Sequence, residues 1–305
     1  MTTVAAEPVR LAAALRALRP EATGLLDVAC ARAWDAVDHD LLGALRTRAA
    51  ALLGHPAGGR VESPDEHVRG CVEFAEQFVL DVAGIGEPER DQLRRHAAEA
   101  ADVVRALFVV EYALRLELLS VRLFDGPAVA APVQAARSAD PSAALRAALG
   151  DYQDAVVRGD ALDPVLTELV RLRCARTHNC RICQTLRLAD ARDAGADDAV
   201  TAAVDRYEAS DLDERTKAAL RVTDALISLP TSLSPDAVTA ARALLTPEEL
   251  AELCLDVSKW STQKVHVALG TDAADRLPVD EQGVSWFRFD SDGRVAGFSA
   301  RPDTG

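Results

Sequence analysis

Residues 168–195 read ELVRLRCARTHNCRICQTLRLADARDAG, and the fold can be worked outward from them. Upstream, Asp163-Pro164 is a helix start: Asp accepts from free N–H groups, and Pro suits the first turn. Val165, Leu166, Leu169 and Leu172 then form the apolar stripe of that helix. Glu168 falls at the edge of the stripe. It is either partly desolvated, which raises its pKa unless something donates to it, or an exposed partner of Arg171 at i+3. The sequence leaves both open. The spacing then predicts a helix end near His178-Asn179 and a second helix capped by Asn179 and closed by Gly195. Cys180, Cys183 and Arg187 would share one face of it, with the thiols in the first turn, where free N–H groups lower a thiol pKa. Arg187 would add a fixed positive charge, unless Asp190 occupies it.

Helical periodicity continues on both sides, from about residue 8 to about residue 270. LLGALRTRAAALLG (41–54), CVEFAEQFVLDVAG (71–84) and VVRALFVVEYALRLELLSVRLF (103–124) repeat apolar residues three and four apart. The 305 residues are 49% hydrophobic but only 4% aromatic, so Ala, Leu and Val must build the core, which favours packed helices. The halves of the chain are related. The segment from Asp65 to Phe124 lies over the one from Asp213 onward at a constant offset, 213 − 65 = 148. Asp65-Glu66 then meets Asp213-Glu214, Tyr112 meets Trp260, and GIGEP (84–88) faces the SLSP breaker (232–235). The expected organisation is all-α: a degenerate helical repeat without the cysteine pair over 1–127, an Ala/Pro-rich linker over 128–150, the cysteine-bearing repeat over 151–275, and a tail over 276–305. In the tail, VSWFRFDSDGRVAGFSA (284–300) alternates around Asp292-Gly293, a β-hairpin signal, and is expected to lie on the helical body or on a second subunit.

Lys and Arg number 34 against 48 Asp and Glu, a net charge of −14, which speaks against nucleic-acid or anionic-membrane partners. Lysine occurs only at Lys217, Lys259 and Lys264. Without a long apolar run or a signal-peptide plan, a cytoplasmic protein is expected. Six cysteines in such a chain are not a disulfide scaffold. Cys30, Cys71, Cys174 and Cys254 read as buried thiols. Cys180-x-x-Cys183 reads as redox chemistry or metal, and a zinc site from Cys174, His178, Cys180 and Cys183 is the metal alternative. No cofactor is expected. Gly84-x-Gly86 is too short for a dinucleotide loop, and no Walker, HExxH or nucleophile-elbow motif occurs.

ELVRLR, the C-x-x-C twelve residues after Glu168, AxxAG, and KWSTQKVHVALGTD (259–272) together resemble the alkylhydroperoxidase D-like, or carboxymuconolactone decarboxylase, family. The resemblance covers about 150–272 and extends weakly over the first half as a degenerate copy. It implies an all-helical, oligomeric protein that reduces hydroperoxides at the expense of an external dithiol or a redox partner protein. By that resemblance Cys183 is the peroxidatic thiol, Cys180 the resolving thiol, and Glu168 the upstream member of a proton relay. The peroxidase members carry His before the second cysteine and again four residues after it. Here those places hold Ile182 and Arg187, and Arg does not pass a proton at neutral pH. His178 and His266 are the candidate substitutes. The decarboxylase branch uses no cysteine pair, so retention of both cysteines speaks against lactone decarboxylation. A non-catalytic homologue, with an interaction or structural role, is the other reading.

Overall fold

The computed structural model describes residues 7–131 and 136–301. The first half runs β1 (Arg10–Ala12), α1 (Ala13–Leu18), α2 (Pro20–Ala36), α3 (His39–Leu52), α4 (Glu66–Leu80), α5 (Glu87–His96), α6 (Ala100–Leu123) and β2 (Ala128–Ala130). The second runs α7 (Pro141–Val157), α8 (Pro164–Thr177), α9 (Arg181–Thr185), β3 (Leu186–Leu188), α10 (Ala189–Asp193), α11 (Asp198–Ala203), α12 (Glu214–Ile227), α13 (Pro235–Leu244), α14 (Pro247–Trp260) and α15 (Gln263–Leu269). The hairpin of β4 (Ser285–Phe289) and β5 (Val295–Ser299) closes the chain.

Local chemistry sets the starts. Asp140, Asp163, Ser234 and Thr246 each precede a proline, and each side chain accepts from a backbone N–H of the first turn. The offset between the halves holds element by element. Helices start at 66 and 214, the following 3-10 turns at 82 and 230, and the next helices at 87 and 235. Where the first half continues as the single long α6, the second breaks at Ser261-Thr262 into α14 and α15. These are two tandem helical repeats with a β-hairpin tail, as the sequence predicts.

The 128–150 segment departs from the linker reading. Ala128–Ala130 pairs antiparallel with Arg10–Ala12, and Asp140-Pro141 opens α7, which buries Leu145, Ala148 and Leu149. The linker composition is that of an Ala-rich helix whose apolar face packs against α2. Residues 132–135 of that segment lie outside the described residues. One apolar cluster runs from Val9 through Leu107 and Leu149 to Ala268, so the halves share the main core, and two smaller clusters, around Leu172 and around Leu188, lie in the second half and tail. No described helix is long and apolar enough to cross a membrane.

Candidate functional site

Glu168 takes the buried reading of the stripe edge, and the pairing with Arg171 forms inside the protein, not on an exposed edge. Glu168 is buried (1% exposed), and both its oxygens are held by Arg171, from Nε at 2.6 Å and Nη2 at 2.7 Å. Arg171 is itself buried, and its remaining donors reach forward to the dithiol segment. Nη1 donates to the Cys183 carbonyl at 2.8 Å and Nη2 to the Leu186 carbonyl at 2.5 Å. Its guanidinium carbon lies 5.9 Å from the Trp260 ring centre and 5.7 Å from that of Phe287. A planar five-donor cation between two rings is what an arginine can do and a lysine cannot. Arg171 therefore latches the cysteine segment to α8.

The single helix expected from Asn179 to Gly195 is not formed. Asn179 adopts a left-handed conformation (φ 53°), which moves the cap to Cys180 and leaves α9 with five residues. Leu186–Leu188 then pairs in parallel with Ser285–Phe287 of the hairpin, and a separate helix, α10, follows. The break takes Arg187 out of line with the thiols. Arg187 donates to the Gln184 and Leu186 carbonyls (2.7 and 2.8 Å), and burial, with Arg171 next, depresses its pKa. Asp190 pairs with Arg288 of the hairpin, not with Arg187. Two of the first-turn N–H groups are also spoken for. Asp272 takes the Arg181 N–H on Oδ2 at 3.0 Å, its carbonyl takes the Ile182 N–H at 3.0 Å, and it pairs with the Arg181 guanidinium. The helix terminus therefore does not stabilise the Cys183 thiolate, and its remaining N–H, that of Cys183, turns to the Cys180 sulfur.

The two thiols are nevertheless pushed apart. Cys183 is half-buried, and its pKa is lowered, first by a hydrogen bond from Cys180 and then by the charges of Arg171 and Lys259, against the opposing effect of burial. Cys180 is fully buried, and its pKa is raised, first by that same hydrogen bond and then by burial. Cys180 thus holds the proton that Cys183 accepts. Burial pushes Cys71 up to about 11 and Cys174 and Cys254 up to about 12, and it raises Cys30 as well. These four are the inert buried thiols the sequence suggests.

Neither histidine candidate is hydrogen-bonded to the cysteine pair. His178 ends α8 with its ring turned into the shared core, Nε2 on Ser261 Oγ at 3.1 Å. Burial, then the charges of Lys264 and Arg115, hold its pKa well below the imidazole range. His266 is exposed on α15, with Nδ1 on Thr271 Oγ1 at 3.1 Å. Among the described residues no three His, Cys, Asp or Glu side chains gather as a metal site.

Sequence reasoning missed four contributors: Arg171 as the latch, Asp272 as the cap, and Asp256 and Lys259 on α14. Lys259 carried a signal, being one of three lysines in an arginine-rich chain. Its amine sits on the faces of Trp260 and Phe289, buried. Beside it opens a cavity of about 310 Å³, lined by Leu162, Leu188, Asp256, Trp260 and Phe289 among others. The hairpin supplies part of the wall, so the tail is a structural member of the site.

A cysteine pair of unequal acidity, latched by a buried Arg–Glu pair inside tandem helical repeats, defines a helical dithiol protein. The chain belongs to the carboxymuconolactone decarboxylase family, whose sequence model matches residues 143–225. It is 37% identical over 255 residues to two Mycobacterium tuberculosis proteins, "Uncharacterized protein MT2376" of strain CDC 1551 / Oshkosh and "Uncharacterized protein Rv2313c" of strain H37Rv. Each match covers 81% of this chain and 87% of the relative. No solved structure matches significantly.

Proposed function

We propose that this chain is a dithiol-dependent peroxidase. Cys183 attacks the outer oxygen of a hydroperoxide, forming S–O as O–O breaks, so the thiolate is oxidised to sulfenic acid and the peroxide is reduced to an alcohol. Cys180 then attacks the sulfenic sulfur, a disulfide forms and water leaves. An external dithiol, small or carried on a partner protein, restores both thiols. The observation that carries this reading is the asymmetry of the pair. The half-buried Cys183 accepts a hydrogen bond and faces two cations, while the buried Cys180 keeps its proton.

Arg171 in this reading is a positioning residue that holds the Cys183 backbone and its charge, and Glu168 holds Arg171. With both oxygens bonded to Arg171, Glu168 is poorly placed to shuttle protons. The test is hydroperoxide consumption with dihydrolipoamide, comparing wild type with Cys183→Ser and Cys180→Ser. Loss of turnover in both variants is the expected result. Absence of turnover in the wild type overturns the reading for the peroxide and donor used and favours the non-catalytic alternative.

A further inference from the structure

The dithiol reading leaves one chemical need without a provider. The alkoxide released by O–O cleavage must receive a proton, and the groups that could supply it are bonded elsewhere, His266 among them to Thr271. Glu168 is bonded twice to Arg171, Asp272 to Arg181, and His178 to Ser261 in the core. Glu252, on the cavity wall, accepts from Arg19 and from the N–H groups of Ala161 and Leu162. Arg187 does not release its proton.

Two side chains one turn apart on α14 are not committed. Asp256 (4% exposed) and Lys259 (7% exposed) are buried, and neither makes a hydrogen bond or ion pair with a described residue. The contrast with the other buried lysine is direct. Lys264 has both oxygens of Glu111 at 2.7 and 2.9 Å, whereas Lys259 has only ring faces. The Lys259 amine and the Asp256 oxygens are not among the fully buried, unsatisfied polar atoms, so both groups keep a path to water. The position of the two groups suggests what they do. Asp256 lies in the cavity wall, the Lys259 amine lies over Trp260 and Phe289 of that same wall, and its charge lowers the Cys183 pKa.

We propose, on the basis of the dithiol reading, that Asp256 and Lys259 form the proton relay of this site. In the first step Lys259 gives a proton to the departing alkoxide as Cys183 loses two electrons to the peroxide. Asp256 reprotonates Lys259 and recovers its own proton through the cavity. In the second step the proton of Cys180 passes by way of Lys259 to the hydroxide leaving Cys183, so water departs as the disulfide forms. The charges facing Lys259 are those of Asp256, Arg171, Cys183 and Asp154, and those facing Asp256 are Glu252, Lys259 and Arg19. Burial depresses the ammonium well below its usual range, and burial together with Glu252 raises the Asp256 carboxyl to about 8. The amine's proton affinity falls and the carboxyl's rises, so the two shifts move toward each other, as transfer between them requires.

The test compares Lys259→Met, Lys259→Arg and Asp256→Asn with wild type. Two profiles are recorded against pH: mass-mapped alkylation of Cys183 by iodoacetamide, and turnover of cumene hydroperoxide with dihydrolipoamide. Turnover is expected to fall about a hundredfold in both Lys259 variants, because a guanidinium keeps the charge but gives up no proton. Alkylation should shift in Lys259→Met and stay within about one pH unit of wild type in Lys259→Arg. Asp256→Asn should remove the limb of the turnover profile near pH 8. Full turnover in Lys259→Arg overturns the relay and leaves the peroxidase reading intact. Identical alkylation profiles in wild type and Lys259→Met overturn the relay whatever the turnover. A wild type without Cys183-dependent turnover, but with alkylation that depends on Lys259, overturns the peroxidase reading alone and supports the coupling of the two groups.

Discussion

Arg171 concentrates four acceptors and two rings on one guanidinium, so its loss is felt in two ways. Arg171→Met leaves Glu168 buried without a partner, and a broken buried pair costs about 3–5 kcal/mol. Urea unfolding should show that loss, and the double variant Glu168→Gln/Arg171→Met should recover part of it. Because Arg171 lowers the Cys183 pKa, alkylation of Cys183 in the single variant should move to higher pH. Asp256 gives a prediction with a definite sign. Its carboxyl is raised from 3.8 to about 8 on folding, so between those values the folded state holds a proton that the unfolded state has lost. Its contribution is present below the lower value and is lost as pH rises toward about 8. The stability of Asp256→Asn relative to wild type should grow across that window and level off above it, as urea midpoints at successive pH values will show. At this scale the cysteine pair was legible, since spacing alone carries it. Arg171 was visible as a partner of Glu168, but its reach to the Cys183 and Leu186 carbonyls depends on how the chain turns after Asn179.

That turn belongs to the scale of elements. The helix start at Asp163-Pro164 could be read because such a pair acts within a few residues, and the offset of the halves could be read because it is a pattern along one chain. The strand at Leu186–Leu188 could not. Its partners, Ser285–Phe287, are about a hundred positions away, and no local propensity announces a parallel pairing of that range. The pairing overrode a good helix pattern and displaced Arg187 from the thiols. The linker was misread for a related reason: Ala-rich sequence shows weak periodicity, although its face packs fully against α2. The hairpin matters to the site because Phe287 touches Arg171 and Phe289 touches Lys259. Phe287 is 4% exposed, and Phe287→Ala should cost about 3–5 kcal/mol in chemical denaturation. The same substitution should speed Cys183 alkylation by opening the hairpin side of the site. An unchanged rate would mean that the hairpin does not shield the thiol.

Across the whole molecule, a second buried ionic group ties the repeats together. Glu111 of α6 accepts from Arg115 of the same helix and from Lys264 of α15, while Arg115 also donates to the carbonyls of Val79, Leu226 and Ser228. Glu111→Leu leaves two buried cations without their carboxylate and should destabilise the chain by about 3–5 kcal/mol. With the main core shared by both halves, unfolding followed by far-ultraviolet circular dichroism and by tryptophan fluorescence should coincide in a single transition. The first repeat, on this view, is a scaffold that completes the core and the ionic group, leaving the second to present the dithiol. That claim meets its most direct test in one oxidation experiment. The reduced protein is treated with one equivalent of cumene hydroperoxide, quenched with an alkylating agent and digested with trypsin. The account predicts consumption of the peroxide and a disulfide joining the peptides 177–181 and 182–187, which carry Cys180 and Cys183, with the other four cysteines still alkylated. Free thiols on both peptides with the peroxide intact would contradict it.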